Sequence, residues 1–148
     1  MSERKLYDGN FVSLKDSDTV AEAIRRMLDS RVSDLPVVDA DGRLAGLFRL
    51  DRLYAELLPR AAQLSYGMPD LSFVRDSLDD LAGRLREFSD RPVGDFVVPA
   101  EHVVKPGVSP VEVVLLLYRG ANSIPVVGAD GRLIDMVTAR DVLAALAR

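Results

Sequence analysis

Thr138-Ala139-Arg140-Asp141 carries the clearest chemistry in the chain. It follows an apolar run ending at Val137 and opens a helical pattern. Thr138 is thereby an N-cap, and the first-turn N–H groups point out of the helix end. Such an end favours anions through its unpaired donors and its dipole. The Thr138 hydroxyl can donate to an anionic oxygen. Asp141, one turn on, can accept two hydrogen bonds from a vicinal pair of hydroxyls. Thr-x-x-Asp is equally a helix-capping pattern, with Asp favoured in the first turn on electrostatic grounds alone. The two roles are compatible, because a capping threonine keeps a hydroxyl proton to give. Lys105 and Arg140 are cations able to reach a phosphate, or simply solvated side chains.

Other chemistries find little footing. There is no cysteine, hence no disulfide, thiolate metal site or cysteine nucleophile. The single histidine, His102, rules out a multi-histidine metal site within one chain and reads as a strand-end residue. No glycine-rich phosphate loop of Walker or Rossmann type is present. No carboxylate pair is marked by its spacing as an acid–base couple, and nothing resembles a nucleophile elbow. A non-enzymatic protein is expected. The net charge of −4 and pI near 5.0 argue against a protein that coats nucleic acid. Met1-Ser2-Glu3-Arg4-Lys5 opens charged and leads into no apolar signal core. The longest strongly apolar run, Val113 to Tyr118, is too short to cross a bilayer. With 148 residues and 48% hydrophobic composition, the expectation is a folded cytoplasmic domain of α/β or α+β type, which the chain's repeated elements narrow to α+β, with no membrane partner.

The elements that must position Thr138 and Asp141 are written twice. Pro36-Val37-Val38-Asp39-Ala40-Asp41-Gly42-Arg43-Leu44 recurs as Pro125-Val126-Val127-Gly128-Ala129-Asp130-Gly131-Arg132-Leu133, with eight of nine positions identical. Thr19-Val20-Ala21-Glu22 answers Ser109-Pro110-Val111-Glu112, and Leu47-Phe48 answers Met136-Val137. In the first copy, Phe11 to Leu14 reads as a strand. Thr19 and Glu22 form a capping box for a helix whose apolar face is Val20, Ile24, Met27 and Leu28. Leu35 to Val38 and Arg43 to Phe48 form a hairpin about an Asp-Gly turn. Leu50 to Leu58 is a second helix, ended by Pro59. The second copy reads as a strand near His102 to Val104, a helix from Ser109 to Arg119 with Pro110 at its first position, strands Ile124 to Val127 and Arg132 to Val137, and a last helix from Thr138.

Each β-α-β-β-α unit is too short to bury a sufficient core alone, so the two are expected to pack about an approximate two-fold axis. The chain divides into repeat 1, about 11–58, a helical connector, about 59–95, and repeat 2, about 96–148, all within one module. Pro59, Gly67, Pro69 and Pro92 punctuate the connector. Ser77-Leu78-Asp79-Asp80 can start a helix there, with Leu78, Leu81, Leu85 and Phe88 on one stripe. It reads as a packing element or as a partner-docking arm.

These residues resemble the cystathionine-β-synthase-type (CBS) domain, whose repeat runs from a capped helix through a Pro-Val-Val-Asp-x-x-Gly-Arg-Leu hairpin to Gly-h-x-[Thr/Ser]-x-x-Asp, h being apolar. Two repeats make a Bateman module. The match covers about Phe11 to Leu58 and Phe96 to Arg148, and Pro92 to Pro99 looks like the lead-in found before many such repeats. Leu57-Leu58-Pro59 and Asp70-Leu71-Ser72-Phe73-Val74 resemble a bacterial subgroup of stand-alone CBS-pair proteins. The resemblance implies a regulatory, non-catalytic module with no obligatory cofactor. Its ligand would be AMP, ADP, ATP or S-adenosylmethionine, bound in the cleft between repeats. It also implies a homodimer through the CBS helices and a regulated protein whose identity is open. A ligand-free dimerisation or interaction scaffold is the alternative.

The resemblance places Thr138 at phosphate and Asp141 at ribose. It places adenine between Val103 and Val104 on one side and Ser123, Ile124 and Pro125 on the other, with Val137 adding apolar surface. Ordinary core is the other reading of Val104 and Ile124. In repeat 1 the corresponding slots hold Arg49 and Arg52, which cannot accept a ribose hydroxyl proton. Asp51 stands one position early, about 100° round the helix. Either that site is lost and the arginines pair with Asp or Glu, which is the preferred reading, or they clamp phosphates of a ligand held by repeat 2. In repeat 2, Asp135 takes the usual Gly position, where a side chain narrows the cleft.

Overall fold

The computed structural model describes residues 5–58 and 76–148. Repeat 1 is built from β1 (Leu14–Lys15), α1 (Val20–Ser30), β2 (Asp34–Val38), β3 (Leu44–Arg49) and α2 (Leu50–Leu57). A connector helix, α3 (Leu78–Phe88), and a 3₁₀ turn (Val93–Phe96) lead into repeat 2. Repeat 2 holds α4 (Pro110–Tyr118), β4 (Ser123–Val127), β5 (Leu133–Thr138) and α5 (Ala139–Ala147). The Pro59-to-Val74 part of the connector lies outside the described residues.

In repeat 1 the sheet runs β1-β2-β3, with β1 parallel and β3 antiparallel to β2. In repeat 2 the expected first strand shrinks to one parallel bridge, Val104 to Val126, beside the β4–β5 hairpin. The cause is one residue. In repeat 1 the Asp16 N–H extends the ladder to the Val38 carbonyl (2.9 Å). Pro106 stands at the matching place in repeat 2 and has no N–H to give. The repeat-1 strand also sits later than read from sequence, at Leu14–Lys15 rather than Phe11 to Leu14.

The caps follow the sequence unevenly. Thr19 accepts the Glu22 N–H (3.2 Å), but the reciprocal half of that box is missing. Arg25 and Arg26 draw the Glu22 carboxylate instead, at 2.5 and 2.8 Å. The buried face of α1 is Val20, Ala23 and Met27, while Leu28, one residue and about 100° on, is exposed. Ser77 and Asp80 do form a full capping box on α3. Leu85 and Phe88 join the repeat-1 core, and Leu78 stays in solvent.

Two cores result, one in each repeat. The repeats meet through residues related by the repeat's own spacing of 89 (Pro36 to Pro125). Leu44 N–H donates to the Gly131 carbonyl (3.0 Å), and Leu133 N–H to the Gly42 carbonyl (3.1 Å), about an Arg43–Arg132 bridge. At the other end Ser123 Oγ donates to Asp34 Oδ1 (2.7 Å). Arg43–Arg132 and Asp34–Ser123 each join a residue to its own counterpart, and the two Leu-to-Gly bonds exchange with one another, so the pseudo-two-fold axis runs through the hairpins. The lead-in to repeat 2 is bonded onto repeat 1: Val93 N–H reaches the Asp18 carbonyl (2.8 Å), and Val98 and Leu47 exchange both backbone bonds. Among the described residues no helix is long and apolar enough to cross a membrane.

Candidate functional site

β5 delivers Thr138 to the start of α5 in extended conformation, φ −106 and ψ 163. Its hydroxyl oxygen accepts the Asp141 N–H (3.1 Å), and Asp141 Oδ2 accepts the Thr138 N–H (3.0 Å). The box is reciprocal, so both side chains have fixed positions before any ligand arrives. Each keeps capacity in hand: the Thr138 hydroxyl proton, and the second oxygen of an exposed Asp141 carboxylate.

Ser123 lies opposite Thr138 in the β4–β5 register, Ile124 opposite Val137 and Pro125 opposite Met136. Val104 closes the other edge of β4, its N–H on the Pro125 carbonyl (3.0 Å). The fold therefore gathers Val104, Ser123, Ile124, Pro125, Val137 and Thr138 on three adjoining segments. The side chains of Val104, Ile124 and Val137 are core, so they offer a ligand their backbone surroundings rather than apolar walls. Ser123 is buried with its hydroxyl committed to Asp34, and Val103 is 47% exposed. Lys105 and Arg140 are exposed.

At the repeat-1 counterpart, Arg49 pairs with Asp51 (3.1 Å). Arg52 pairs with Glu56 and lies 5.7 Å from the Phe96 ring centroid. Asp51 is exposed and accepts the Arg52 N–H as well (2.8 Å).

Sequence reasoning missed a wall of the site. A strap of residues 5–10 runs past β5 and lines two cavities. The one of about 230 Å³ contains Asp141 together with Asp8, Asp135, Met136 and Arg148. A larger one of about 460 Å³ opens between the strap, Val108 and Ile134. The only sequence signal was Asp135 in place of glycine. Asp135 is 1% exposed and accepts the Gly9 N–H (2.5 Å) and its neighbour Met136 N–H (2.7 Å). Burial pushes its carboxyl above the usual carboxylate range, with the Asp8 and Asp141 charges adding to that, against the two backbone bonds. Among the described residues no cluster of His, Asp or Glu has the makings of a metal site.

The CBS domain family model matches residues 4–58 and 93–148. The CBS domain-containing protein CBSX1 of Arabidopsis thaliana, a chloroplastic protein, is 27% identical over 135 residues. That covers 89% of this chain and 57% of the relative, so the chain spans under three-fifths of that protein's length. The solved structure of CBSX2 in complex with AMP is 27% identical, with a TM-score of 0.64, and the match covers 93% of this chain and 88% of that one. A CBS domain-containing protein of Kribbella flavida matches with a TM-score of 0.73 over 100% of this chain and 99% of its own, at 23% identity.

Proposed function

Because the chain belongs to the CBS domain family, as a tandem pair of repeats, we propose that it is a non-catalytic regulatory module that binds an adenosine-containing nucleotide between the repeats, mainly at the repeat-2 end. The observation that carries this reading is the reciprocal Thr138–Asp141 box beside the cavity that holds Asp141. The AMP complex of CBSX2, a protein 27% identical, supports the ligand class. In this reading Asp141 receives the ribose hydroxyls, Thr138 donates to a phosphate oxygen, and Lys105 and Arg140 supply outer charge. Arg49 and Arg52 already face carboxylates, which favours one working site over two. Ligand acts by binding one conformation or association state better than another.

A thermal-shift panel with AMP, ADP, ATP, S-adenosylmethionine and guanine-nucleotide controls tests it. A ligand at about 100 times its dissociation constant stabilises by about 2.7 kcal/mol, roughly 5–10 °C for a domain of this size. Asp141→Ala is expected to weaken binding by about 1.5–3 kcal/mol, the range for a hydrogen bond to a charged group. A fold left intact with unchanged affinity would overturn the site.

A second reading, an interaction scaffold, rests on the exposed apolar residues of α4 (Val111, Val114, Leu115 and Tyr118) and of α5 (Leu143 and Leu146). These residues also support a homodimer under either reading. No response to any adenosine ligand would favour the scaffold.

A further inference from the structure

We propose that Asp135 is a positioning residue for the repeat-2 cavity: its carboxylate takes the place of a β-bridge and holds the strap of residues 5–10 beside β5, keeping the space next to Asp141 open. The comparison is internal to the molecule. In repeat 1, Leu47 N–H donates to the Val98 carbonyl (2.8 Å) and Val98 N–H to the Leu47 carbonyl (2.9 Å). This close approach needs Gly46, since a Cβ there would sit 2.4 Å from the Val98 oxygen. At the same spacing of 89, Leu47, Val98 and Gly46 become Met136, Gly9 and Asp135.

In repeat 2 the same two donors are satisfied by one side chain. Met136 N–H bonds Asp135 Oδ1 (2.7 Å) and Gly9 N–H bonds Asp135 Oδ2 (2.5 Å). Only a carboxylate offers an acceptor to each donor; an amide offers one oxygen and turns its own N–H₂ toward the other. The side chain also spaces the two backbones. Where repeat 1 seats its neighbour's lead-in on β3 through a β-bridge, repeat 2 keeps its lead-in a carboxylate's length from β5. Asp8 and Lys5 on the strap, Asp141 on α5 and Arg148 just after it are the charged groups around this clasp. Tyr7 is the other titratable group lining the cavity. The clasp stands on these contacts alone; its effect on ligand rests on the nucleotide reading above.

The test is amide NMR on the full chain, with AMP titration of the same samples. In the wild type, the Gly9 resonance is expected to move with an acid titration whose midpoint lies above the ordinary carboxylate value. In Asp135→Asn, Gly9 hydrogen exchange is expected to rise at least tenfold and its pH response to vanish, with AMP affinity falling about tenfold. In Asp135→Gly the strap can seat directly on β5, so Gly9 stays protected while AMP binding is lost. A Gly9 resonance indifferent both to pH and to Asp135→Asn overturns the clasp. AMP affinity unchanged in both variants while Gly9 responds overturns the positioning role of Asp135 for the cavity. A wild type that binds none of the adenosine ligands, with Gly9 responding as described, overturns the nucleotide reading and leaves the clasp standing.

Discussion

A methyl group on Gly46 would lie 2.4 Å from the Val98 oxygen and 2.5 Å from a Val97 methyl, at φ +150. Both the contact and the conformation exclude a side chain. Gly46→Ala is therefore expected to cost about 1–3 kcal/mol, read as a lowered midpoint in urea at unchanged slope. The same place in repeat 2 holds Asp135, and its chemistry makes a different prediction. Its folded pKa is raised, chiefly by burial. An acid with a raised folded pKa contributes stability that is fully present below its unfolded value and lost as pH rises through the folded one. Wild-type stability should fall across the window just above the ordinary carboxylate pKa. Asp135→Asn should flatten that fall, and equal slopes in the two proteins would contradict it. The sequence could flag Asp135 as a departure, but not its partner. Gly9 lies 126 residues away, and no local pattern reports which backbone N–H a buried carboxylate will meet.

Helix α1 shows how far local signals carry at the scale of an element. The Thr19 cap was legible because an N-cap bond spans three residues and depends on little else. The reciprocal Glu22 bond was not, because two arginines one turn away compete for the same carboxylate. That competition is measurable. The Arg25 hydrogen bond, with Arg26 beside it, lowers the Glu22 pKa to about 2. A depressed acid contributes stability above its unfolded value and loses it as pH falls through the folded one. Stability between about pH 4.5 and pH 2 should fall less steeply in Glu22→Gln than in the wild type: the two proteins converge at the acid end, where Glu22 is protonated, and differ at neutral pH by the small amount an exposed ion pair is worth. The hairpins were legible for the same reason as the cap, being short-range and repeated. The missing first strand of repeat 2 could have been read from Pro106, once set against Asp16.

At the scale of the whole molecule, the two repeats differ in what covers their helices. In repeat 1, α3 lies against α2, and Leu85 and Phe88 pack into a core edged by Ile24 and Leu57. The repeat-2 counterparts of those two edge residues, Val114 and Leu146, are exposed. Val111, Val114, Leu115 and Tyr118 follow the i, i+3, i+4, i+7 spacing of a single helical stripe. Position 115 is leucine where repeat 1 has Arg25, an ion-paired and solvated residue. An apolar stripe of this kind suits a self-complementary contact, in which the same face of two copies meets about a two-fold axis. If the proposed homodimer uses it, sedimentation should show a dimer at micromolar concentration. Leu115→Glu would set two like charges into the buried centre and shift the protein to monomer. Because that residue points away from the repeat-2 core, the unfolding slope should reflect only the lost association, and adenosine-ligand stabilisation should persist. A wild-type monomer at micromolar concentration, or a Leu115→Glu protein that remains dimeric, would remove this face as the interface.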